Sequence, residues 1–276
     1  MSGLRPLLRW HADPLVLLGL AALALAYLLG VRRVEARGGT VSRGRVRAWA
    51  AAVGVLALAL CSPLATYSEE RFSVHMVQHL LLTYAAAPLL ALGAPVTLAL
   101  QATRADLRRS VLLPALHSRV ARVLSFPVLT WVAFAGVMYA THFSPIYDAS
   151  LGNPLIHGIE HLLYLSAAVL FWWPVVRADP VPGSFPWPAR LLYLLLALPF
   201  QSVLGVAILD SDRVLYSRYA GVDALDDQQL AGAIMWVGGD VLMLIAIGIG
   251  IAAWMRYEDR ATARLDARLD AARRAS

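Results

Sequence analysis

Apolar residues run along this chain in blocks, and polar residues gather between them. Seven blocks stand out, at approximately 14–31, 46–65, 73–92, 121–140, 155–175, 190–209 and 229–254. Each is close to the ~20 residues that a helix needs to cross a bilayer. The breaks between them carry turn chemistry: Gly38-Gly39, Gly93-Ala94-Pro95, Gly152-Asn153-Pro154 and the run ADPVPGSFPWP. The pattern predicts an all-α, polytopic bundle of seven transmembrane helices in one membrane domain, residues 1–255. A charged tail, residues 256–276, follows it. No soluble domain, low-complexity linker or internal repeat is visible.

Composition agrees with a membrane protein. The chain has 276 residues, 59% of them hydrophobic, and a mean hydropathy of +0.62, well above a soluble domain. All 24 basic residues are arginine. If the N-terminus lies outside, 19 arginines fall in inner loops and the tail and 5 in outer segments. That asymmetry predicts an outside N-terminus and a cytoplasmic C-terminus. Trp49, Trp172, Trp173 and Trp254 would then lie near the inner interface. The arginines belong to loops and lipid headgroups, so nucleic acid is not an expected partner and membrane lipid is. The first apolar run leads into Arg32-Arg33 without an A-x-A-like exit, so no cleavable leader is expected. Cys61 is the single cysteine, which excludes an internal disulfide and a thiolate cluster.

Candidate chemistry lies in the histidines. His75 and His79 open the third span, His142 closes the fourth, and His157 and His161 open the fifth. Under the arginine-derived topology all five reach the outer membrane face. His117 falls on the opposite side, and His11 precedes the first span. Residues four apart lie ~6 Å apart along a helix and share a face, so each pair can reach one ion. Gln78 and Glu160 are placed to fix imidazole tautomers by hydrogen bonds. The outer start of the last span adds Asp227, Gln228 and, deeper, Met235. Met76 and Met138 are weaker candidates, because methionine is ordinary membrane filling. Asp210, Asp212, Asp223 and Asp226 read as a solvated loop, and the tail as a charged helix with internal ion pairs.

Lone membrane histidines often serve only interhelical hydrogen bonds. Two pairs and His142 at one level argue instead for a metal site. Imidazoles suit copper, and zinc would fit them equally. Two other classes stay open on the residues alone. One is an intramembrane zinc hydrolase with Glu160 or Asp227 as general base. The other is a b-type haem protein with histidine axial ligands.

The segments HMVQHLLLTYAAAPLLALGAP, THFSPIYD, IEHLLYLSAAVLFWWPV, PFQSVLGVAIL, LYSRY and DQQLAGAIMW occur in one order across roughly residues 48–256. Together they resemble the CtaG-type cytochrome c oxidase assembly factors, seven-span proteins of the bacterial cell (inner) membrane. Ala231-Gly232 departs from the two glycines expected there, which bears on helix packing. The resemblance implies a non-enzymatic role: copper binding and delivery to a haem–copper oxidase subunit, with an extracytoplasmic copper donor upstream.

Overall fold

A computed structural model of the chain describes Trp10 and residues 13–144, 152–221 and 223–275. Among these residues all regular structure is helical. Helix α1 (Pro14–Glu35) starts where Asp13 caps the Leu15 N–H at 2.7 Å and Pro14 fills a position that needs no donor. Helix α2 (Arg43–Cys61) ends at Ser62-Pro63, and Ser62 both closes it and caps the short α3 (Pro63–Ser68).

The next helix carries the first histidine pair. It begins as α4 (Phe72–Leu80), widens into a π-helical stretch at Leu81–Ala86 and continues as α5 (Ala87–Leu92). Pro88 explains the widening: it lacks an N–H, and its ring would strike the carbonyl of Tyr84 four residues back. The loosened Thr83 carbonyl receives the Trp172 indole N–H at 2.7 Å. After a left-handed turn at Ala94 (φ 51°), α6 (Pro95–Ala102) completes a 31-residue membrane-length segment. Asp179, from a distant loop, caps α6 through the Val96 and Thr97 N–H groups at 3.1 and 2.6 Å.

Three short helices, α7 (Ala105–Leu107), α8 (Leu113–Leu116) and α9 (Arg119–Leu124), lead to α10 (Pro127–His142). The long helices α11 (Pro154–Val176) and α12 (Trp187–Leu209) follow. The last segment is α13 (Ala224–Ala233), a π-helical stretch at Ile234–Gly238 and α14 (Gly239–Ala275). Here the Gln201 side-chain amide donates to the Met235 carbonyl at 3.0 Å, the same device as Trp172 on Thr83.

Six helices among the described residues are long and apolar enough to cross a membrane, not seven. The block expected at 121–140 is the exception. Pro127 forces Phe126 out of helical geometry (φ −72°, ψ 120°) and splits the block into α9 and α10. The 16 residues of α10 span only ~24 Å, short of the ~30 Å hydrocarbon core. The chain is a multi-pass membrane protein, as its apolar helices and family (below) require.

Two buried clusters hold the bundle. One gathers residues of α1, α2, the π-helical stretch at Leu81–Ala86, α5 and α6 around Tyr27, Trp49 and Leu56. Tyr27 stacks on Trp49 with ring centroids 4.5 Å apart and donates to the Gly93 carbonyl at 2.7 Å. The larger cluster runs from Phe72 and Met76 through Phe134, Tyr164, Phe171 and Leu204 to Met243. Within it, α12 and α13 approach closely at Gly205 and Gly232. A Cβ built on Gly232 would lie 2.5 Å from the Leu209 nitrogen and 2.7 Å from the Gly205 carbonyl oxygen. Gly232 thus does the close packing, and Ala231, fully buried beside it, fits where a second glycine was expected.

Gly232→Val therefore forces two backbones apart and should cost about 2 kcal/mol or more. Its thermal midpoint in detergent should fall clearly below that of Gly54→Val, since nothing lies within 4 Å of a Cβ at Gly54. Equal midpoints for the two variants would contradict this packing.

Candidate metal centre

The first turn of α4 is fixed from outside its own helix. Arg71 is extended, and its side chain does not cap the helix. The carboxylate of Asp227, on α13, takes that place. It accepts from the Phe72 N–H at 2.7 Å and from the Ser73 hydroxyl at 2.5 Å. An anionic acceptor suits the positive end of a helix. The Phe72 ring is held between Tyr216 and Tyr219, at 4.6 and 5.4 Å.

His75 and His79 follow on the buried side of α4, with ring centroids 4.2 Å apart. On α11, the His157 and His161 rings are 4.4 Å apart. The two helices bring the pairs face to face. His75 lies 5.6 Å from His157 and 6.1 Å from His161, the rings nearly parallel in both cases. His79 lies 5.9 Å from His161 and 6.2 Å from His142. All five histidines thus form one continuous cluster. Within it, His75, His157 and His161 each offer a ring nitrogen, and these nitrogens lie within 4.8 Å of one another. That spacing suits three ligands closing on one ion.

The remaining two histidines have different surroundings. His142 donates from Nδ1 to the Met138 carbonyl at 2.8 Å, which leaves the lone pair on Nε2. The Tyr164 hydroxyl lies 3.0 Å from the same Nδ1 and shares a short hydrogen bond with Thr141. Tyr164 also packs its ring 4.3 Å from His79. Both nitrogens of His79 and Nε2 of His161 are buried with no hydrogen-bond partner among the described residues. A buried polar atom left so costs about 1–3 kcal/mol, so the fold maintains these lone pairs and N–H groups against a penalty. A bound cation would recover it.

Most of the other candidates are used elsewhere. Gln78 donates to the Ala59 carbonyl at 2.8 Å, tying α4 to α2. Gln228 accepts from the Leu215 N–H at 2.7 Å and donates to the Arg213 carbonyl at 3.0 Å, folding the 213–215 segment onto α13. Asp227 is the helix cap. Met76, Met138 and Met235 are buried in the apolar core. Glu160 is buried one position before His161. His117 is set apart, exposed and bonded to its own helix through the Leu113 carbonyl.

Sequence reasoning passed over four residues that shape the cluster. Thr141 and Tyr164 position His142. Tyr216 donates to the His142 carbonyl at 3.1 Å, and Tyr219 to the Ser68 carbonyl at 2.8 Å. The two tyrosines of LYSRY thus draw their loop onto the histidine end of the bundle. The aromatic pair in an otherwise polar loop was the available signal.

The chain matches the family described as cytochrome c oxidase caa3 assembly factor (Caa3_CtaG) over residues 25–257. An uncharacterized protein of Mycobacterium leprae (strain TN) is 31% identical over 276 residues, covering 95% of this chain. Uncharacterized proteins of Mycobacterium bovis and Mycobacterium tuberculosis are each 30% identical over 279 residues, covering 96% of it. The chain spans 42% of the length of each of these curated relatives. No solved structure matches it.

Replacing Asp227 tests the cap. Asp227→Ala removes the acceptor of the first α4 turn and should cost about 0.5–2 kcal/mol. Asp227→Asn, which keeps one acceptor oxygen, should lose less. A thermal midpoint for Asp227→Ala that equals the parent's would contradict the role given to this residue.

Proposed function

The chain belongs to the cytochrome c oxidase caa3 assembly factor family, and we propose that it carries copper for the assembly of a haem–copper oxidase. The imidazoles of His75, His157 and His161 hold the ion, and His79 and His142 extend the cluster beside them. One observation carries this reading: the three mutually close nitrogens of two facing helical pairs. Copper ranks first among divalent first-row ions for nitrogen ligands, and its reduced state also accepts imidazole. Zinc fits the same donors, so the copper assignment leans on the family. The arginine asymmetry puts the cluster at the outer face, where it receives copper from an extracytoplasmic donor and passes it laterally to an oxidase subunit.

A carrier must release its ion. Three ligands with two neighbouring imidazoles leave a coordination position through which an acceptor's ligand enters. An open position serves delivery and metal catalysis alike, so the choice between them rests on the general-base requirement. Asp227 is committed to the N–H groups of α4, which leaves a hydrolase without one of its two candidate bases. A b-type haem needs a porphyrin plane between its axial ligands. Here the imidazoles of each helical pair lie against one another, at 4.2 and 4.4 Å, and the pairs adjoin, so imidazole fills the space a porphyrin plane would take.

Deleting the protein should leave the oxidase with its haem and with little copper at the affected centre. Added copper should restore part of the activity, because mass action replaces a missing delivery step. The double variant His75→Ala, His79→Ala should reproduce the deletion while still accumulating in the membrane, since neither change shortens an apolar helix. Full copper content in the deletion strain under copper limitation would overturn the delivery reading.

A further inference from the structure

The last helix does not stop at the membrane boundary. Helix α14 runs unbroken from Gly239 to Ala275, and every residue from Met255 to Arg274 is exposed. A projecting helix of this length is marginal by itself and gains most of its stability from packing.

Its surface is sorted into three stripes. With about 3.6 residues per turn, Trp254, Ala261, Leu265, Leu269 and Ala272 fall on one face. Leu265 and Leu269 expose 56% and 50% of their surface, large values for leucine on a helix outside the apolar run. Along one edge of this seam stand Arg260, Arg264 and Arg268, which make no ion pair among the described residues. The other edge carries Asp259 and Asp266, while Glu258 lies on the seam itself and accepts from the Trp254 indole N–H at 2.9 Å. The expected network of internal ion pairs is thus reduced to Arg273–Asp270 at 3.9 Å. The basic edge, together with Ala261 and Leu265 of the seam, lines an open cleft of about 670 Å³ against Trp187, whose ring packs 6.2 Å from that of Tyr257.

We infer that this tail is a dimerisation helix that pairs in parallel with the tail of a second copy of the chain. Two copies inserted the same way in one membrane present parallel tails. In a parallel pair, each helix lays one edge of its seam against the opposite edge of its partner's. Here that sets arginine against carboxylate at matched heights: Arg260 by Asp259 of the second copy, Arg264 and Arg268 by its Asp266. An antiparallel pair would set like charges together. The leucines close the seam between them, and the cleft beside Trp187 receives the acidic edge. Such a twofold contact is self-complementary, and it holds two histidine clusters in one assembly.

Cysteine crosslinking of the full chain in native membranes tests this, with Cys61→Ser as background. Leu265→Cys should form a crosslinked dimer readily, whereas Ala263→Cys, on the far side of the helix, should not. Arg264→Glu with Arg268→Glu should weaken the dimer about tenfold, since on both sides of the twofold axis attraction to Asp266 becomes repulsion. Co-expression with an Asp259→Arg, Asp266→Arg chain should restore crosslinking between the two forms. Equal crosslinking at positions 263 and 265, or no loss on charge reversal, overturns the inference. If charge reversal strips anionic lipid from the purified protein while crosslinking is unchanged, the arginines serve headgroups, and the inference fails.

Discussion

Hydrocarbon offers no hydrogen bonds, so every polar atom this fold carries into the membrane must find a partner in the protein. Much of the structure follows from that constraint. Where a proline or a π-helical stretch loosens a carbonyl, a side chain from another helix reaches it: Trp172 on Thr83, Gln201 on Met235. Where α4 and α6 begin, an aspartate from a remote segment supplies the missing acceptor. These side chains also lock the helices together, so the bonds that satisfy the backbone set the bundle's geometry. Among the described residues, departures from the rule occur singly at Trp49, Tyr84 and Trp131 but lie side by side at both ring nitrogens of His79 and Nε2 of His161, which is why the cluster reads as a place for an ion.

The cluster's precision comes from this same scaffolding. Asp227 sets the first turn of α4 and thereby the direction of His75. Thr141 and Tyr164 set the ring of His142, and Tyr216 fastens the end of α10 by holding the His142 carbonyl. None of these groups needs to touch an ion. Each restricts the helix or ring that carries an imidazole, which lowers the ordering cost of ligation.

Helical content and the meeting of five histidines were legible in the sequence because both follow from periodicity. Apolar block length gives membrane helices, and four-residue spacing gives a shared face. The division of the fourth block was also written there, in Phe126-Pro127, but a hydropathy average passes over a single proline. The roles of Gln78, Asp227 and Gln228 were not legible. Each is a polar residue near the histidines in sequence or level, and only the tertiary fold decides whether it faces an imidazole or an open backbone group. All three face backbone. The family's departure at Ala231-Gly232 likewise needed coordinates, because only they show that one glycine carries the helix contact.

The central claim is that imidazole nitrogens from two facing helices hold the ion. X-ray absorption at the copper edge of the purified, copper-loaded chain tests it directly. The account predicts a shell of nitrogen neighbours with the multiple scattering of imidazole rings, diminished in His157→Ala and unchanged in His117→Ala. A shell dominated by sulfur, or a spectrum insensitive to His75, His157 and His161 alike, would contradict it.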